Sequence, residues 1–149
     1  MLQYNLRVET PADGGLVEGM LRIELASLNA GIFVLHSELT FPKNPDWNDA
    51  WDEDMTEQSL LEREQELIAA DASCPKSSQE MISVMNLATG NAEAFTTCRK
   101  SQSDQDELVQ TVKTTSKLPI YGAAFILNEQ FQGAKLIRAD KYVLTGFRN

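Results

Sequence analysis

The sequence is poor in the residues from which catalytic and metal sites are built. Histidine occurs once, as His36, and cysteine twice, as Cys74 and Cys98. A zinc site with three or four His/Cys ligands would need at least all three of these scattered residues, which excludes it as an unaided site. A Cys–His or Ser–His nucleophile would have to use His36, yet no G-x-S-x-G turn is present and neither cysteine has a local catalytic signature. Gly14-Gly15 follows a strand-like run without the G-x-G-x-x-G pattern, and no phosphate-binding G-x-x-x-x-G-K-S/T loop occurs. No cofactor is expected on these grounds.

Long apolar runs are also missing, so no membrane-spanning helix is expected. Met1-Leu2-Gln3-Tyr4-Asn5-Leu6-Arg7 has neither the basic stretch nor the apolar block of a secretory signal. No lipidation motif stands at either end. With no export signal and no C-x-x-C spacing, two reduced thiols and a reducing, cytoplasmic location are expected.

What the chain has is acid, and it has it in one place. Against 22 acidic and 13 basic residues overall, the window 46–71 holds Asp46, Asp49, Asp52, Glu53, Asp54, Glu57, Glu62, Glu64, Glu66 and Asp71, with Arg63 as its single base. That window alone accounts for the net charge of −9; the remaining charges cancel. A general basic surface for phosphate contacts is absent, so no direct nucleic-acid partner is expected. An anionic membrane would be repelled, so no membrane partner is expected either. At 149 residues, with 42% apolar and 23% charged side chains, the chain reads as one globular domain over 1–149.

Periodicity organises the rest. Leu2, Tyr4, Leu6 and Val8 alternate, as a half-buried strand should. Pro11, Asp13, Gly14 and Gly15 make a turn. Leu21, Ile23 and Leu25 alternate again, although Leu16, Met20 and Ile23 also fit a helical spacing. Asn29-Ala30-Gly31 turns the chain into a third run, with Phe33, Leu35, Leu39 and Phe41 on one face and Ile32, Val34 and His36 on the other. Apolar residues on both faces predict a strand covered on both sides.

The composition then changes. Residues 42–51 read as a loop, followed by a helix capped by Asp54 with Glu57 and striped by Leu60, Leu61, Leu67 and Ile68. Ser77 with Glu80 opens a second short helix through Met81, Ile82 and Met85 to Gly90. Ser103, Asp104, Asp106 and Glu107 precede a third, carrying Leu108, Val109 and Val112. From 120 to 127 the chain is nearly continuously apolar and reads as an interior strand. The stretches at 136–137 and 142–147 flank it, with turns at Gly133 and Asp140-Lys141. The expected class is therefore α+β: N-terminal antiparallel strands, two to three central helices, and C-terminal antiparallel strands joining the same or a second sheet. An acidic loop–helix segment at 42–72 is its distinctive feature.

Trp47 and Trp51, the only tryptophans, lie inside this acidic stretch and would share a face if it turned helical. Aromatic side chains are frequent binding anchors, and carboxylates around them steer basic partners. Set against this, tryptophans commonly cover a core edge while acids simply face water. An EF-hand fails: Asp46, Asn48, Asp52, Asp54 and Glu57 fall on ligand positions, but Trp51 stands where the loop needs glycine. Met20, Met55, Met81 and Met85 read as core filler.

The leading expectation is a non-catalytic protein-interaction module that binds a basic protein surface through Trp47, Asp49, Trp51, Asp52, Glu53, Asp54 and Glu57. The rivals are an inhibitor that mimics nucleic acid, a structural subunit of a homo-oligomeric or viral-type assembly, and a small enzyme using His36.

Overall fold

The computed structural model describes residues 1–68, 78–83, 91–103, 105–114, 118 and 123–147. Nine strands form one antiparallel sheet: β1 Leu2–Thr10, β2 Gly15–Asn29, β3 Ile32–Thr40, β4 Asp49–Thr56, β5 Ser78–Ser83, β6 Asn91–Ser103, β7 Asp106–Thr114, β8 Ala123–Gln132 and β9 Lys135–Phe147. Among the described residues a single helix, α1 Glu57–Ile68, follows β4, and a 3₁₀ turn, Pro45–Trp47, precedes it. The strand order is β4-β3-β2-β1-β9-β8-β7-β6-β5. Two meanders are thus joined where the first strand meets the last, and β4 and β5 stand at opposite ends.

The strands of the first forty residues follow from their alternation. Leu2, Tyr4 and Leu6 are buried on the inner face of β1, with Asn5 and Arg7 exposed on the other. Across the ladder Tyr4 faces Leu21 and Leu2 faces Ile23. Leu2, Tyr4, Ile23, Leu35, Met55, Leu118, Ala124 and Leu144 form one buried cluster, against which Leu60 of α1 packs. Helix α1 touches β4 at one end of the sheet and β6 and β7 toward the other, so the sheet is curved around its inner face. Each fully buried aliphatic side chain contributes about 1.5–3 kcal/mol. The Tyr4 hydroxyl is not stranded in this core, because it donates to the Ala123 carbonyl at 3.0 Å. Between β2 and β3 the turn is a two-residue hairpin, Ala30-Gly31, with φ of 51° and 83°. Positive φ at both positions is the hairpin geometry whose twist suits the flanking strands.

The α+β expectation is overturned. One helix lies among the described residues, and two of the three expected helices are strands. The segment opened by Ser77 and Glu80 is β5 over 78–83; residues 84–90 lie outside the described residues. The segment expected to be helical after Ser103 is β7, hairpinned to β6. Its residues Val109, Thr111, Val112 and Thr114 are β-branched, which favours a strand over a helix, and a cross-strand neighbour overrides the helical spacing of Leu108 and Val112. Nor does Asp140-Lys141 turn: both residues lie inside β9, paired to Val8 and Arg7 of β1. The two C-terminal apolar stretches are therefore one strand.

The single helix is capped differently from expectation. Asp54 sits in β4 opposite Val34, so it cannot cap. Thr56 does so instead. Its Oγ1 accepts from Ser59 N–H at 3.1 Å, and Ser59 Oγ accepts from Thr56 N–H at 2.7 Å, a reciprocal box with serine in the usual glutamate position. Leu60 faces the core while Leu61 is exposed. The side chains of Leu67 and Ile68 lie outside the description. The outer face of β3 is also less covered than expected, with Ile32 exposed and Val34 half-buried. Cys98 in β6 is disulfide-bonded and not a free thiol, since sequence separation says nothing about distance in space. Cys74, the only other cysteine, lies outside the described residues. Among the described residues no helix is long and apolar enough to cross a membrane.

Candidate functional site

The acidic window begins where β3 ends. Phe41 is buried, and its ring lies over Gly19 of β2, so close that a Cβ there would stand 2.7 Å from Phe41 Cδ1. Asn48 Oδ1 accepts from Phe41 N–H at 2.6 Å, and backbone bonds from Asn44 N to Phe41 O and from Trp47 N to Asn44 O fold the intervening residues into consecutive turns. This loop delivers Trp47 edge-on to Phe41, with centroids 5.9 Å apart and planes at 82°. The arrangement is the edge-to-face contact that aromatic quadrupoles favour. Even so, Trp47 remains 55% exposed.

Next comes β4, where a loop was expected over 42–51 and a cap at Asp54. It pairs only with β3 among the described strands. Strand alternation distributes the expected site residues over two faces. Trp51, Glu53 and Met55 share the inner side with Ser37, Leu35 and Phe33. Met55 is buried, Glu53 half-buried, and Trp51 is 41% exposed at the rim. Asp52 and Asp54 point to the outer side opposite His36 and Val34. Asp49 turns its Oδ1 back to Ala50 N–H at 2.9 Å. Glu57 is exposed in the first turn of α1, where a carboxylate suits the positive end of the helix dipole.

The two indoles therefore share no helical face. Trp47 belongs to the turn and Trp51 to the strand. The seven residues form a strip along one end of the sheet, and only Asp52 and Asp54 present their carboxylates side by side.

His36 is placed differently from the apolar setting its neighbours suggested. It stands on the outer face, 38% exposed, with Nδ1 2.6 Å from Oδ1 of Asp52, which is 63% exposed. The positions around it on that face are Glu24 and Asp52 across the ladders and Val34 and Glu38 along the strand. None is a hydroxyl or thiol. Ser37 is buried on the other face, and Cys98 is already bonded. The pair lacks an adjacent nucleophile, which an acyl-transfer dyad requires.

No protein-family model matches the chain, and neither the curated proteins nor the solved structures give a match.

Elsewhere the described residues offer little convergent chemistry. No group of three or more His, Cys, Asp or Glu side chains among them could hold a metal ion. A hollow of about 610 Å³ opens on the outer face between Asn5, Arg7, Glu18, Met20, Lys141 and Val143. It contains no histidine or cysteine, and Arg7 there is tied to Glu9 at 2.7 Å. Along the inner side of β9, Arg138 donates to Asp140 at 2.8 Å, which raises the guanidinium above its ordinary value. Burial, helped by the Asp140 charge, raises the Tyr142 phenol.

Sequence reasoning missed the His36–Asp52 pair and the terminal position of β4. The charge run marked the segment, but no local signal indicated that it would end a sheet.

Proposed function

We propose that this protein is a non-catalytic interaction module whose contact surface for a basic protein is the strip formed by the 3₁₀ turn, β4 and the start of α1. One observation carries the reading. The acidic window includes β4, the strand that ends the sheet of the described residues, where Trp47 and Trp51 are exposed and Asp52 and Asp54 face outward on the side of β4 opposite to Trp51. Exposed indoles supply contact area at low conformational cost, and carboxylates around them speed encounter with a cationic surface. A cytoplasmic setting, as the sequence suggested, requires the Cys98 disulfide to resist the reducing thiol pool. An oxidising compartment imposes no such demand.

The test is cross-linking of the full chain to its partner, followed by Asp52→Asn, Asp54→Asn and Glu57→Gln together. Contacts should map to residues 46–57, and the triple variant should bind more weakly with a shallower salt dependence. Unchanged affinity and salt dependence would remove the basis for this function.

A further inference from the structure

Among the described residues, the end of the sheet at β4 is open over a short and chemically defined stretch. In an antiparallel strand the N–H and C=O of successive residues point alternately to the two sides. Ala50 N–H donates to Asp49 Oδ1 and Thr56 N–H to Ser59 Oγ, so these two amides face away from β3. Asp52 and Asp54 have the same parity. Their N–H and C=O groups therefore face outward too, and among the described residues no strand pairs with that edge. At either end the outward donors are satisfied by the chain's own side chains; between them lies an edge one short strand could complete.

We propose that this edge accepts an extended basic segment of a partner protein as an additional strand, with lysine or arginine at alternate positions opposite Asp52 and Asp54. The inference rests on the function proposed above and adds to it the mode of recognition and the class of ligand. In strand addition, main-chain hydrogen bonds supply affinity and alternate side chains supply specificity. Here the outer face presents two carboxylates at the spacing of alternate residues. On the inner face the residue between the two cations falls opposite half-buried Glu53, with the exposed ring of Trp51 as its diagonal neighbour.

Charge decides the occupant. A second copy pairing through the same edge would set Asp52 and Asp54 against their own equivalents, and like charges directly opposite destabilise a ladder. Such acids are the means by which sheet edges avoid self-association. A basic strand reverses that sign and gains what a second copy would lose.

The experiment titrates the full chain with a synthetic peptide of alternating lysine and valine, eight residues long to match β4. Amide hydrogen exchange is followed at Asp52 and Asp54. Two further peptides carry the same side chains but are N-methylated on one or the other alternate set of residues. The expected result is binding with exchange at both amides slowed on the order of tenfold or more. Methylation of one set should abolish binding and methylation of the other should spare it. Asp52→Asn with Asp54→Asn should weaken binding about 2- to 30-fold, the span of two cross-strand charge pairs.

If both methylated peptides bind like the parent and the two amides stay unprotected, strand addition is wrong while the acidic contact surface stands. If no peptide binds at low salt, both fail. If the amides are protected without peptide and light scattering shows a dimer, a second copy occupies the edge and the proposal is overturned.

Discussion

Replacing Gly19 by alanine tests the packing that positions Trp47. The new Cβ would stand 2.7 Å from both Phe41 Cδ1 and the Thr40 carbonyl oxygen, and 2.8 Å from Phe41 Cε1. Comfortable carbon contacts lie at about 3.5–4.0 Å, so each is short by roughly 1 Å. Thr40 cannot retreat without opening its pairing with Met20. Phe41 is held by Asn48 and covered by Trp47. If the ring stays, overpacking costs about 1–3 kcal/mol. If it swings out, exposing it costs about 1.5–3 kcal/mol. Lower entropy of the unfolded alanine chain returns about 0.4–1 kcal/mol. The net expectation is a loss of about 1–2 kcal/mol, or a Tm lower by about 3–6 °C for a chain of this size.

Urea denaturation followed by tryptophan emission, in a Trp51→Phe background, reports both the stability and the surroundings of Trp47. Trimming the ring with Phe41→Leu should cost less in the Gly19→Ala chain than in the wild type, because neighbouring substitutions are not additive. If Gly19→Ala proves as stable as the parent with unchanged Trp47 emission, Phe41 does not pack on Gly19, and the account of this loop is wrong.

Two other perturbations follow from the fold. Ala30 holds a left-handed φ of 51°, which strains an alanine, so Ala30→Asn should stabilise by about 0.5–1 kcal/mol; a lower midpoint in the same urea assay would refute the turn geometry. Burial raises the Tyr142 phenol above its ordinary 10.0. The stability this gives is present below that value and declines as pH rises through the folded-state pKa, because the unfolded phenol ionises first. Tyr142→Phe should therefore flatten the alkaline fall in unfolding free energy without changing it near neutrality. An identical alkaline profile for both proteins would show that another group titrates there.

Much of the first meander was legible. Alternation at Leu2 to Val8 and at Leu21 to Leu25, with turn residues at 11–15 and 29–31, located β1, β2 and β3 because a strand's side-chain period is local. The second half was not legible for the same reason in reverse. Leu108 and Val112 are four apart, which suits one helix face, but they also lie two steps apart on one strand face, and short apolar runs fit both periods. Asp54 with Glu57 imitated a capping box just ahead of the real cap at Thr56. The actual pair, Thr56 and Ser59, uses a serine where a glutamate is usual, so the pattern drew attention away from it.

For the candidate site, composition located the segment and misjudged its shape. Trp47 and Trp51 were grouped by a helical spacing, whereas a 3₁₀ turn and a strand separate them and divide Asp52 and Asp54 from Trp51 and Glu53. His36, read as lying among apolar neighbours, instead faces Asp52 across β3 and β4.

By itself the sequence determined where the charge lies, which early residues alternate, and where the chain must turn; each of these is set by residues a few positions apart. Only the tertiary structure decided that β1 would join β9, that Phe41 would close over Gly19, and that the acidic strand would stand at the end of the sheet, with no strand among the described residues on its outer edge. Those outcomes depend on contacts between residues far apart in the chain, and their energy exists only once the curved sheet has formed.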